Sequence, residues 1–415
     1  LCGGPMTLLF DAEQNFSCRS CGECCRRSFD ITFTEAEWAG CLKENVARWF
    51  RESAAAESGA TQPPFEALGS DLWAIRKRAD GVCGFLSAEN RCRIHEEMGG
   101  AAKPLTCQMF PFSFDARGED TRVSVSFCCP TVVRNEGQTL DDQKRALGGL
   151  VRRWRQQTTP ADRPLEWVKG RPLDPELLET IRWIFRRLLD LHEPSFSLRR
   201  NVRRIGTLLE DWTRARVLKL DPERFEDYVR LTGEFAVDKP ADPAPSRPRI
   251  PRLLFRGFLF ASLVPWASRT ETAGSGLALR LRLLRLLLHV HGLMPGVSGL
   301  RMSRAFGAGL DLDAEPFFTP AYHVLRAAIE NLGSGRRPVV DELSFAVSHL
   351  LVAEHLYLAR ETSEGALPAW VRAIMDAHDV AHADPDSSFG RVLASLAAPP
   401  SALHLFGARA STSGA

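Results

Sequence analysis

No cysteine follows Cys129 in this chain of 415 residues, although all eleven lie at or before it. A secreted disulfide framework usually fills a short chain behind a signal peptide. Here no charged stretch, apolar core and cleavage site open the sequence. Clustered thiols in a long chain therefore point to metal ligation in a reducing, cytoplasmic setting. The first residue is Leu1, as a non-ATG start codon or a fragment would give. Long apolar runs are also missing. Leu253–Ala267 is too short and carries Arg256 and Pro265, and Leu277–Leu288 is broken by Arg280, Arg282 and Arg285. A membrane-crossing helix needs roughly 20 nearly uninterrupted apolar residues. Charge of one sign is in short supply: the net value is +2, which gives no electrostatic case for nucleic acid or an anionic membrane. Lysine is scarce, with seven among 53 basic residues, a bias that looks compositional. There is no internal repeat, no P-loop, no GxSxG and no kinase motif set.

What is present is a dense thiol motif. In Phe16–Cys25, four cysteines (Cys18, Cys21, Cys24 and Cys25) fall within eight residues, as two CxxC steps sharing Cys21. A CxxC loop can turn two sulfurs toward one ion, which is why the spacing recurs in zinc and iron–sulfur sites. Cys24 and Cys25 are adjacent, so their side chains are expected to diverge, one serving a second metal or closing the first from another side. Further along come Cys83 and Cys92, flanking a turn at Glu89-Asn90, then Cys107 and the pair Cys128-Cys129. Nine cysteines (18, 21, 24, 25, 83, 92, 107, 128 and 129) could fill two four-ligand sites with one left over. Cys2 and Cys41 lie outside the motifs and read as ordinary thiols. The C-x2-C-x2-C opening and the Pro after Cys129 match a bacterial ferredoxin run, which tips the balance toward an iron–sulfur cluster. Zinc accepts four thiolates equally well.

The length suggests two domains, and 44% hydrophobic and 25% charged residues are ordinary for a globular protein. The fold class expected is an α+β cysteine-cluster module over 16–135, then a larger all-α domain over 138–398 with a possible division at the proline-rich linker 238–251. In the module, residues 29–33 alternate like a strand, and Thr34 with Glu37 forms a capping box for a helix running to Phe50. A strand is expected over 72–76. A hairpin is expected from Phe110–Phe114 and Arg122–Phe127 around residues 116–119. Helical periodicity then covers 141–156, 175–191, 197–216, 222–235, 253–267, 277–291, 320–331, 339–360, 368–381 and 389–396. Residues 54–64 read as a loop and the tail from Pro399 as disordered.

The order CxxCGxCC, Cys-x-Phe-Leu…Cys-x-Ile, Pro-Leu-x-Cys-x-x-Phe-Pro-Phe and closing Cys resembles the YkgJ-type cysteine-cluster family, a CxxCxxCC zinc- or iron-chelating domain. The resemblance covers 16–130 and implies metal binding, with no settled reaction. The stretch Cys92–Ala102 and the overall size also resemble the flagellin lysine-N-methylase family, although the first motif keeps the compact spacing where those relatives have wider gaps. That likeness implies a protein lysine N-methyltransferase using S-adenosylmethionine. The reading is of a metal-binding protein supporting redox or protein-modifying chemistry. The alternatives are the methylase and a zinc-stapled module whose helical domain binds a protein partner.

Other candidates carry less. His95 stands near Cys92 and reads as a partly exposed polar residue before it reads as a ligand. His378 and His382 sit at i, i+4 on a helix with Asp379, Asp384 and Asp386 nearby, but lack the Glu of HExxH. His289 and His291 point to different helix faces. Arg199, Arg200, Arg203 and Arg204, with Arg182, Arg186 and Arg187 on the helix before, read as a solvated basic face and otherwise as a docking surface for an acidic partner. Gly307–Asp311 is glycine-rich but has no βαβ setting, so it reads as a loop and no S-adenosylmethionine site is recognisable.

Overall fold

The computed structural model describes residues 6–27, 30–34, 37, 65–69, 72–78, 81–158, 164–192, 196–238, 310–334, 337–359 and 365–382. Backbone contacts divide the chain into two compact units, Leu1–Ala161 and Asp162–Ala415. Elements are numbered in order among the described residues.

The first unit mixes helix and sheet. Strands β6 (Phe112–Arg117) and β7 (Asp120–Val125) form the expected hairpin, paired from Phe112↔Val125 to Arg117↔Asp120. The turn needs Gly118 at φ 58°, a left-handed conformation that glycine adopts at little cost. β1 (Thr7–Leu9) lies parallel to β7, which the sequence reading did not foresee. Three residues are too few for alternation to register, and the partner lies more than 100 positions away. β2 (Asn15–Phe16) runs into the thiol motif and pairs with β8 (Gln138–Thr139). Gly137 makes that pairing possible: at φ 114° it comes so close that a Cβ would stand 2.4 Å from Ser17 N. A second sheet, in order β3-β5-β4, is built from β3 (Thr32–Thr34), β4 (Phe65–Ala67) and β5 (Leu72–Ile75).

Among the described residues, the unit also holds helices α1 (Arg93–Met98), α2 (Leu105–Met109), α3 (Pro130–Val133) and α4 (Lys144–Gln157). α4 buries Leu147, Gly148 and Val151, an i, i+4 stripe. Its outer residues hold the hairpin. Arg155 donates to Gly118 O at 3.0 Å and Asp120 O at 2.8 Å, and Trp154 meets Phe114 edge to face at 5.6 Å. The capping box is present, Thr34 N donating to Glu37 Oε2 at 2.9 Å and Glu37 N to Thr34 Oγ1 at 3.4 Å. The expected helix beyond Glu37, the loop 54–64, the linker 238–251, the elements over 253–267, 277–291 and 389–396, and the tail lie outside the described residues.

The second unit is mainly helical: α5 (Pro175–Leu188), α6 (Leu198–Trp212), α7 (Ala215–Leu218), α8 (Pro222–Asp238), α9 (Phe318–Glu330), α10 (Val339–Ala359) and α11 (Ala366–His382). It is not all-α as expected. β9 (Glu166–Val168) and β10 (Arg171–Pro172) make a small ribbon. The ribbon inserts Trp167, fully buried, against Trp212 at 5.9 Å and Phe225 at 6.2 Å. Helix α6 ends at Trp212, and Thr213-Arg214 separates it from α7, where one longer helix was expected. No helix among the described residues is long and apolar enough to cross a membrane.

The basic face on α5 and α6 needs correcting. Arg182, Arg199 and Arg204 are buried. Arg199 pairs with the buried Glu354 at 2.6 Å, and Arg204 donates to Ala236 O at 2.6 Å. Arg182 donates to Leu332 O, and Arg186 grips both oxygens of Glu330 at 2.5 Å. A buried guanidinium must be paired, and these are. Arg182, Arg199 and Arg204 tie the helical unit together and are not solvated, whereas Arg186 and Arg187 are exposed as expected.

Candidate metal centre

The CxxC steps fold as a tight turn. Gly22 adopts φ 76°, and Cys25 N bonds back to Gly22 O at 3.0 Å to open the 3-10 turn Glu23–Arg26. A Cβ at Gly22 would lie 3.0 Å from both Asn90 O and Leu86 Cδ1, so the motif sits directly on the turn between Cys83 and Cys92. That turn is stitched in by Cys83 N, which donates to Cys25 O at 2.8 Å. Arg93 N donates to Phe85 O at 2.9 Å, and Asn90 takes the positive φ of 62° that reverses the chain. Glu37 brings in the last segment. Its Oε1 accepts from Leu105 N at 2.7 Å, fixing the first amide of α2, the helix that carries Cys107.

As a result, Cys24, Cys25, Cys83, Cys92 and Cys107 line one cavity of about 440 Å³, part of it open to solvent. Ile31, Ile75, Phe85 and Ile94 supply apolar wall, and most of these residues belong to the core cluster behind β3 and β5. Cys24 Sγ and Cys25 Sγ are 4.0 Å apart, so the adjacent side chains do not diverge as expected. The 3-10 turn brings them together. A tetrahedral zinc with bonds of about 2.3 Å would hold two sulfurs at roughly this separation.

The other four sequence candidates stand elsewhere. Cys18 and Cys21 are exposed, and Cys128 and Cys129 are buried; none of them lines the cavity. Cys21 lies within electrostatic reach of Cys18 and Cys24, and Cys129 within reach of Cys21. Cys2 and Cys41 lie outside the described residues. His95 is exposed and does not line the cavity. His378 faces His349 at 5.3 Å between ring centres, while the side chain of His382 lies outside the described residues, as do His289 and His291. Of the glycine-rich stretch, only Leu310 and Asp311 are described.

Among the described residues, no group of three or more His, Cys, Asp or Glu is arranged to hold an ion as it stands. The thiols ring a space without converging on a point. Without a bound cation the thiols are held protonated. The contact with Cys25, and then burial, push the Cys24 thiol up. Cys24 draws Cys25 down, but the contact with Cys83 and burial outweigh it, so Cys25 is raised. Burial raises Cys107, and holds Cys129 at about 11. Crowded thiols in an apolar wall stay protonated for want of positive charge; a bound cation reverses that balance and deprotonates its ligands. The donor set, all soft sulfur, fits zinc or iron and not a hard oxygen-loving ion.

One cation does face the thiols: Lys103, which sequence reading passed over. Among the described residues it is the only charged one lining the cavity. Burial acts to lower its pKa, but Cys92, Cys107, Cys24 and Cys18 outweigh burial and raise it. Its position four residues before Cys107 was the available signal.

No curated protein and no solved structure matches the chain. Residues 17–130, a little more than a quarter of the chain and the stretch that builds this cavity, match the model of the family described as "CxxCxxCC: Putative zinc- or iron-chelating domain".

Proposed function

We propose that residues 17–130 bind zinc or iron through thiolates, with the five-thiol cavity as the principal centre. One observation carries the reading. Cys24 and Cys25 on the motif turn, Cys83 and Cys92 around the following turn, and Cys107 on α2 line the same apolar cavity. Free thiols kept for packing alone would not need to meet from such distant parts of the sequence. An iron–sulfur cluster is the favoured occupant, because thiols spaced around a volume suit a polynuclear core better than a single ion, and four cysteines satisfy such a core. When bound, it would supply one-electron redox chemistry, whereas zinc would act as a staple.

The chain's own residues do the rest. The apolar wall excludes water from one side of the centre, the Gly22 turn sets the direction of Cys24 and Cys25, and Glu37 sets that of Cys107. Anaerobic purification with elemental analysis and visible absorption tests the reading. Stoichiometric iron with absorption near 400 nm supports the cluster, and colourless stoichiometric zinc supports the staple. Paired Cys92→Ser and Cys107→Ser changes are expected to reduce bound metal sharply. A folded wild-type protein that takes up neither metal overturns the proposal.

A further inference from the structure

We propose that Lys103 is a positioning residue for this centre, its ammonium balancing the negative charge of the metal–thiolate complex and donating N–H to its sulfurs. The inference rests on the metal reading above. A divalent ion or a doubly charged cluster held by four thiolates carries a net charge near −2. Lodging that charge against Ile31, Ile75, Phe85 and Ile94 costs free energy unless an opposite charge stands beside it. Among the described residues, Lys103 is the one charged side chain lining that cavity.

Its backbone is held for the task. Lys103 N donates to Gly100 O at 3.3 Å, closing the 3-10 turn Gly100–Ala102. Gln108 Nε2 donates to Lys103 O, and Gln108 Oε1 in turn accepts from Arg153 Nη2 at 2.7 Å on α4. Lys103 therefore enters the cavity from a strapped chain, immediately before the helix that carries Cys107. Lysine elsewhere in this chain is rare and arginine is the usual cation. An ammonium on a flexible stem can turn its three donors toward the sulfurs.

The test compares wild type with Lys103→Met, Lys103→Gln and Lys103→Arg. Each is loaded with zinc, or with iron and sulfide anaerobically, and titrated with a competing chelator, with far-UV circular dichroism as the check on folding. Loss of the charge in Met and Gln is expected to weaken metal retention by about 10–100-fold, the range for changes to groups that support metal ligands. Lys103→Arg is expected to recover most of it. In an iron-loaded protein the reduction potential should fall in Met and Gln. Wild-type retention and potential in folded Lys103→Met and Lys103→Gln overturn the inference and leave the metal reading standing. Equal loss in Met, Gln and Arg overturns the charge role in favour of shape. A wild type that loads no metal removes the metal reading and this inference with it.

Discussion

Glu37 divides its two carboxylate oxygens between two jobs. One caps the chain after β3 through Thr34 N, and the other, at 2.7 Å, holds Leu105 N at the head of α2. Glu37→Ala leaves both amides without their partner. We expect a loss of about 1–2 kcal/mol from the first unit, seen as a lower urea midpoint, together with weaker metal retention because Cys107 is no longer fixed. His349 presents a different case in the second unit. Its Nε2 lies 2.7 Å from Ile374 O and its ring packs against His378. Burial lowers its pKa to about 4. The folded value lies below the unfolded one of about 6.5, so between those pH values the unfolded chain binds more protons. Stability contributed above pH 6.5 is thus lost as the pH falls toward 4. Urea melts at pH 7 and pH 4.5 should differ more for the wild type than for His349→Gln.

At the scale of elements, α6 and α10 are locked by a buried ion pair, Arg199 to Glu354 at 2.6 Å, with Leu310 N adding a bond to the same carboxylate at 2.7 Å. Removing one partner strands the other charge. Glu354→Gln is expected to cost about 3–5 kcal/mol in denaturant unfolding, while Arg199→Met with Glu354→Leu should recover much of it. The pair also shows what sequence pattern conceals. Arginines at three- and four-residue spacing look like a wet face. Whether they are wet depends on Glu354 and Glu330, more than a hundred residues on, and no local window contains those. The elements that were legible are the ones specified locally: the β6–β7 hairpin by its alternation and turn, the Thr34–Glu37 box by spacing, and the helices of the second unit by their apolar stripes. The Trp167 ribbon and the parallel β1 were not, because each is a few residues long and is held by partners far along the chain.

At the scale of the whole molecule, every cysteine lies in the first unit, so the metal proposed here belongs to that unit. Treatment of the loaded protein with a strong chelator should lower the unfolding transition of that unit, followed by fluorescence of Trp154→Phe and wild type in parallel, and leave the transition of the helical unit in place. A single transition shifted as a whole would count against that placement. The cavity was partly readable in advance: five of the nine cysteines singled out line it, but CxxC spacing alone did not mark which, since Cys18 and Cys21 lie outside it while Cys83, Cys92 and Cys107 line it. The partition between cavity and rim was not readable, since it depends on how Gly22 seats the motif against Asn90.

That seating carries a consequence for synthesis. Cys18 to Cys25 leave the ribosome well before Cys83, Cys92 and Cys107 are made, and Cys25 O cannot meet Cys83 N until then. For that interval the nascent chain exposes four crowded, uncommitted sulfurs to oxidants and stray ions, so the yield of correctly assembled protein should depend on how reducing the surroundings are during translation.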